Sequence, residues 1–237
     1  LSCVKDGNSY ILNGEKWWAS GAGDPRTAVY IVMVRTPNDG PKHNQHSMIV
    51  VDPKTTGIDK LRPMEVYGHD DAPHGHFHIR FTDVKVPKEN LIGEEGKGWT
   101  YAKYLLEFER GNGYSSELYQ QLQQLKAKAE TEDASGCKLS EDKNFMESIA
   151  KLEVQINAME ATELRILGSL TAGQNVGPES SLLKTRGTEI GQAITELAVE
   201  LVGYYGIPFN NPGPEIGNNE PAIGSKFANT AAPRYFN

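Results

Sequence analysis

Cysteine is nearly missing: Cys3 and Cys137 are the only two in 237 residues. They show no metal-ligand spacing, and such sparse use fits a reducing compartment better than a disulfide framework. Positive charge is short as well. Lys and Arg total 24 against 31 Asp and Glu, a formal net charge of −7. Phosphate binding needs a basic field, so nucleic acid is not expected as a partner, while a local basic pocket for an anionic cofactor stays open. No apolar run is long enough to span a bilayer and no secretory signal is visible. A cytoplasmic, bacterial location is therefore expected, with mitochondrial and peroxisomal ones left open. The chain has no phosphate loop, no Gly-x-Gly-x-x-Gly after a strand and no Gly-x-Ser-x-Gly elbow. Leu1-Ser2 runs almost directly into strand-like sequence and "APRYFN" stops without a cap, so both ends are expected to be cut.

What is present suits a real core: 38% hydrophobic and 8% aromatic residues. Their spacing changes period near residue 97. Before it, short β-rich runs recur between turn signals. Tyr10–Leu12, Asn13-Gly14 and Glu15–Ser20 read as a hairpin, since Asn-Gly favours a two-residue turn. Ala28–Thr36 reads as a strand buried on both faces. "HSMIVVD", "TGIDKLRP" and "HFHIRFTDVKVP" complete the series. An antiparallel β sandwich or barrel is expected over residues 1–97.

After Gly98 the period is helical. Helices are expected from about Trp99 to Glu130, Lys143 to Ala172 and Ser180 to Val202, with Ser140 or Asp142 capping the second. Ile149, Leu152, Ile156, Met159, Ile166 and Leu170 form a seam that Glu163 interrupts, as a rival buried carboxylate or an interhelical partner. Short links imply an antiparallel bundle over residues 98–237, truncated at its end. The whole reads as an α+β chain.

Three features carry possible chemistry. In "GWTYAKYLLEFERGNG", Ala102, Leu105, Leu106 and Glu109 share one helix face. A carboxylate on a core-facing stripe tends toward a raised pKa, which suits a general base; the alternatives are a solvated Glu or a structural Glu109–Arg110 pair. In "WWASGAG", Trp18 beside Ser20 and a glycine turn suits a flat aromatic ligand, or a strand-end aromatic pair packed on the core. His74, His76 and His78 alternate along one strand. They read as a polar strand edge rather than a metal site, because parallel side chains on one strand converge poorly on a tetrahedral ion.

These stretches resemble the acyl-CoA dehydrogenase family. "YILNGEKWWASGAG" is similar to its flavin-side strand pair, and "FTDVKVPKENLIGEEGKGW" to the last strand and linker before its helical domain. "YAKYLLEFER" is similar to the first helix of its C-terminal domain, and "AVELVGYYG" to the helix end that meets the flavin across a dimer interface. The early part looks like one branch of the family; the helices look like another, which includes pimeloyl-type dehydrogenases. The resemblance implies a fragment with the middle β domain and most of the C-terminal helical domain. It also implies FAD as cofactor and α,β-desaturation of an acyl-CoA. Glu109 would take the α proton, with Arg110 beside it. Trp18 and Ser20 would lie at the flavin, with Glu200, Gly203 and Tyr204 as further cofactor contacts; Glu200 stands where many members have Gln. An electron-transferring flavoprotein would accept the electrons, and the chain would form a homodimer or homotetramer. Other readings are a flavin oxidase or monooxygenase on the same fold, and a non-catalytic helical interaction module.

Overall fold

The computed structural model describes residues 1–67, 70, 74–109, 113–131, 138–174, 177–208, 224–225 and 227–236. Arg110 and Cys137 lie outside the described residues. The chain divides into two compact units, Leu1–Leu106 and Glu107–Asn237.

Among the described residues, the first unit holds seven strands: β1 (Ser2–Asp6), β2 (Ser9–Ser20), β3 (Tyr30–Arg35), β4 (His46–Val51), β5 (Ile58–Pro63), β6 (His76–Pro87) and β7 (Leu91–Ile92). They form one sheet in the order β5-β6-β2-β1-β3-β4-β7. Every pairing is antiparallel except β1 with β3. Tyr10, Leu12, Val32, Val34, Ile49, Val51, Ile79, Phe81, Val84 and Val86 form its core.

Two local expectations are corrected here. Asn13-Gly14 is not a turn: β2 runs through it without a break. Between Leu12 and Gly14 the partner strand steps from Val84 to Phe81, so β6 carries one extra residue. Asn13 fastens that bulge by donating to the Asp83 carboxylate (2.9 Å) and accepting from the Asp83 amide (2.8 Å), with Asp83 at φ 48°. The tight turn lies at Gly7-Asn8, where Asp6 faces Ser9 and Gly7 supplies a φ of 57°. Nor is β3 buried on both faces. It alternates, with Val32 and Val34 buried and Ile31 65% exposed, as a sheet with one covered face requires.

β1 fills only part of the space between β2 and β3. Its pairing ends at Ser2 with Asn13 on one side and Arg35 on the other. Beyond that point a cavity of about 440 Å³ opens, walled by Lys16, Trp17 and Ser20 of β2 and by Ile31 and Met33 of β3, with Ile79 and Phe81 of β6 also lining it.

The segment after β7 is pinned to the sheet. The Gly96 amide donates to the Ser47 hydroxyl (2.9 Å), which also bonds Thr36 (2.8 Å), both hydroxyls being buried. Tyr10 donates to Glu95 (3.0 Å). Burial, then Glu95, pushes the Tyr10 phenol up to about 12. Gly98 lies so close to β4 that a Cβ would sit 2.7 Å from the Ser47 carbonyl carbon. Helix α1 (Gly98–Glu109) therefore starts at a fixed point on the sheet.

The second unit is built on α2 (Ser115–Ala129), α3 (Lys143–Thr171), α4 (Glu179–Val202) and α5 (Ala228–Phe236). The single helix expected over 99–130 is two helices, α1 and α2; Gly113 and Tyr114, just before α2, are not helical, and glycine disfavours a helix interior. Leu118, Leu122 and Leu125 of α2 pack with Phe145, Ile149, Leu152, Ile156 and Met159 of α3 and Ile190, Ile194 and Leu201 of α4. Asp142 caps α3 by accepting from the Asn144 and Phe145 amides. Glu163 bonds Tyr114 and Lys126 pairs with Glu153, so α2 and α3 run antiparallel; Gly187 packs on Tyr114 and Gly191 on Leu118, so α2 and α4 run parallel. The interruption in the α3 seam is thereby explained. Glu163 accepts from the Tyr114 amide (2.6 Å), the Ser115 amide (3.0 Å) and the Ser115 hydroxyl, capping α2 from another helix. Among the described residues, no helix is long and apolar enough to cross a membrane.

Candidate functional site

The best-defined cluster of candidate residues stands at the end of β2. Lys16 faces Ile79 and Ala19 faces Phe77, so three steps on β2 oppose two on β6. The extra residue makes a bulge, and bulges re-aim side chains. Trp18 takes φ 56° there, a left-handed backbone that costs a bulky residue energy. Its indole is 39% exposed rather than sealed in the sheet core, and the Trp17 indole lies 6.0 Å away. Two residues on, Ser20 pairs directly with His76 of β6; the Ser20 hydroxyl and His76 Nδ1 are 2.9 Å apart. The His76 ring meets Trp18 edge-on, with centroids 5.6 Å apart.

The turn that follows is held by side chains. The Gly21 amide donates to the His74 and Gly75 carbonyls. Thr27 donates to the Gly21 carbonyl (2.7 Å) and Tyr30 to the Ala22 carbonyl (2.6 Å). A Cβ at Gly23 would fall inside the Phe77 ring, so the backbone must be bare there. Asp24 is buried and accepts from the Arg26 guanidinium, the Arg26 amide and His74 Nδ1. Arg26 foremost, then its own amide and His74, hold the Asp24 carboxyl well below the usual range. On the sheet's inner face, burial lowers the pKa of the Lys16 ammonium, and no carboxylate pairs with it among the described residues.

The three histidines expected on one strand edge have three different partners. His74 meets Asp24 (3.1 Å), His76 meets Ser20, and His78 meets Glu15 (2.8 Å), which also takes the Arg80 guanidinium (2.9 Å). Among the described residues, no group of three or more ligating side chains is arranged for a metal. Sequence reading treated "WWASGAG" and "HGHFH" as separate features. The structure joins them, and the link between His76 and Ser20 is given only by the β2–β6 register.

The remaining candidates stand apart from this cluster. Glu109 ends α1 with its side chain exposed. The stripe expected to face a core is open in this chain, with Leu105 53% and Leu106 37% exposed. Glu200 and Tyr204 are exposed as well. They are joined through Gly203, which ends α4 at φ 52° and donates its amide to the Glu200 and Val199 carbonyls.

The Trp18 face and the Ser20 hydroxyl fit a flat, polar-edged aromatic group such as a flavin ring: an exposed π-surface with a hydrogen-bonding atom two residues along the strand.

Comparison with known proteins finds relatives of both units. Residues 2–84 match the acyl-CoA dehydrogenase middle domain and residues 96–221 the acyl-CoA dehydrogenase C-terminal domain. The chain is 51% identical over 102 residues to IBR3 of Arabidopsis thaliana, described as a probable acyl-CoA dehydrogenase, covering 43% of this chain and 12% of that protein. It is 32% identical over 221 residues to acyl-CoA dehydrogenase family member 11 of Rattus norvegicus, covering 89% of this chain and 28% of that protein. An acyl-CoA dehydrogenase structure from Geobacillus kaustophilus superposes with a TM-score of 0.77 at 25% identity, over 99% of this chain and 58% of that one. The chain thus spans less than two thirds of each of these relatives.

Proposed function

The chain belongs to the acyl-CoA dehydrogenase family, and from that premise we propose that it is the middle and C-terminal part of an FAD-dependent enzyme that desaturates an acyl-CoA thioester between Cα and Cβ. The observation that carries the reading is the exposed Trp18 face beside the Ser20 hydroxyl at the end of β2. Trp18 would wall the flavin ring and Ser20 would hydrogen-bond its central edge. When bound, the flavin supplies the hydride acceptor. Glu109 would remove the α proton, a step made easier near neutral pH when its carboxylate is desolvated. Arg110 would orient or charge that carboxylate's surroundings. Glu200, Gly203 and Tyr204, at the end of α4, are proposed as further cofactor contacts. Electrons would pass on to an electron-transferring flavoprotein. A homodimer or homotetramer is the proposed assembly, and the exposed Leu164, Leu167 and Leu182 supply apolar surface for it.

The test is the visible spectrum of the purified chain after incubation with FAD. A flavin band that bleaches when an acyl-CoA is added without oxygen supports the dehydrogenase. Rapid oxygen uptake on the same addition would replace it with an oxidase, and a folded, colourless oligomer would leave an interaction module.

A further inference from the structure

We propose that His76 sets the hydrogen-bond polarity of the Ser20 hydroxyl, so that one imidazole proton decides whether the site presents a donor or an acceptor. The inference rests on the reading of Ser20 as a flavin contact, but its core is a property of the chain itself.

Ser20 and His76 are Cα partners across β2 and β6, and Ser20 Oγ lies 2.9 Å from His76 Nδ1. A serine hydroxyl has one proton and two lone pairs. When Nδ1 is bare, Ser20 gives its proton to the ring and shows only lone pairs to anything else. When Nδ1 carries a proton, the ring donates to Oγ and the hydroxyl proton is free to point outward. The second state is obligatory for the imidazolium, and histidine changes charge near neutral pH. The Trp18 indole, at the bulge, packs edge-on against the His76 ring.

The neighbouring histidines are not equivalent. His74 and His78 face the carboxylates Asp24 and Glu15, while His76 faces a neutral hydroxyl. The charged groups around His76 are Asp24, Arg26 and His74 on the side of the turn. Further along the sheet are Lys16 and Glu15 on β2, His78 and Arg80 on β6, and Arg62 on β5, which pairs with His78.

A flavin ring asks for both polarities at one position: its central nitrogen accepts a hydrogen bond when oxidised and carries an N–H when reduced. A hydroxyl whose direction follows His76 serves either state. Linkage is reciprocal. An acceptor set against Ser20 raises the proton affinity of His76, and a donor there lowers it.

The experiment follows the ring nitrogens of the chain by ¹H–¹⁵N NMR from pH 5 to 8. Ser20→Ala is expected to move the His76 midpoint, and Ser20→Thr to restore it, with His74 and His78 unmoved. An unmoved His76 midpoint in Ser20→Ala overturns the proposal, with or without flavin. Added oxidised FAD should then raise His76 proton affinity about threefold, half a pH unit, and reduction with dithionite should reverse this. FAD that binds while His76 stays put also overturns the proposal and leaves the flavin site standing. Absence of FAD binding defeats the flavin reading alone, because the serine variants still decide the coupling.

Discussion

In the sheet unit, Trp18, Ser20 and His76 are fixed by pairing across β2 and β6, and the next turn is tied down by Asp24, Thr27 and Tyr30. In the helical unit, Glu200 and Tyr204 stand exposed at the end of α4, whose inner face is spent on the apolar seam. The difference follows from how the elements present side chains. A strand brings residues distant in sequence into direct opposition, so a ladder can hold a polar constellation by itself. A helix places candidates on a face at i and i+4, and that face gains meaning only from what packs on it. The strand-borne candidates are assembled within their own unit, and the helix-borne candidates are exposed groups of theirs.

The largest expected effect would break this contrast. In the holoenzyme, Glu109→Gln should keep the flavin spectrum and acyl-CoA binding but lower turnover by about 10²–10⁴-fold, the usual range for removing a general base. A loss under tenfold, by steady-state assay with saturating acyl-CoA, would mean that the exposed end of α1 does not carry the base.

A smaller effect sharpens the comparison from the helical side. The polar tie from α3 to the start of α2 is Glu163. Glu163→Ala leaves the Tyr114 and Ser115 amides and the buried Ser115 hydroxyl without that acceptor. Stranding such groups costs about 1–3 kcal/mol. Urea unfolding followed by circular dichroism at 222 nm should show it, whereas a loss below 0.5 kcal/mol would reduce Glu163 to an exposed surface charge.

Most elements were legible in the sequence because their periods differ. Strand β6 falls where alternation put it, β3 and β4 where β-rich runs did, though β3 has one covered face rather than two, and α3 and α4 where the 3.6-residue repeat did, with Asp142 capping α3 as its position suggested. The failures share a cause. Asn13-Gly14 has the composition of a turn, but Asn13 finds a partner 70 residues away in Asp83, and the strand passes through. Glu163, expected as a rival buried carboxylate or an interhelical partner, is the latter, and only the identity of its partners, 48 and 49 residues back, was not legible. Ser20 and His76 were each noticed, and what joins them is a register shifted by one bulge. Contacts between elements decide these cases, and periodicity within an element carries no trace of them.

The smallest effect concerns acid. Asp24 is buried, and the Arg26 guanidinium first, with the Arg26 amide and His74, keeps its carboxyl well below the ordinary value. A carboxyl whose folded pKa lies below its unfolded value of about 3.9 stabilises the fold fully above that value. The contribution is lost as pH falls toward the folded pKa, because the unfolded chain takes up the proton first. Glu15, bound by Arg80 and His78, shifts the same way in the sheet unit, and Glu147, beside Lys151, in the helical unit. Both are exposed and screened by solvent, so the buried Asp24 should set the difference. The two units can be read apart, since Trp17, Trp18 and Trp99 all lie within residues 1–106 while ellipticity at 222 nm follows the helices. Between pH 4 and 2, tryptophan emission should change before ellipticity does. Asp24→Asn should be less stable at pH 6 and flatter across that window. Coincident transitions in the native chain, or an equal acid slope in Asp24→Asn, would show that the turn after β2 does not owe its rigidity to this carboxylate.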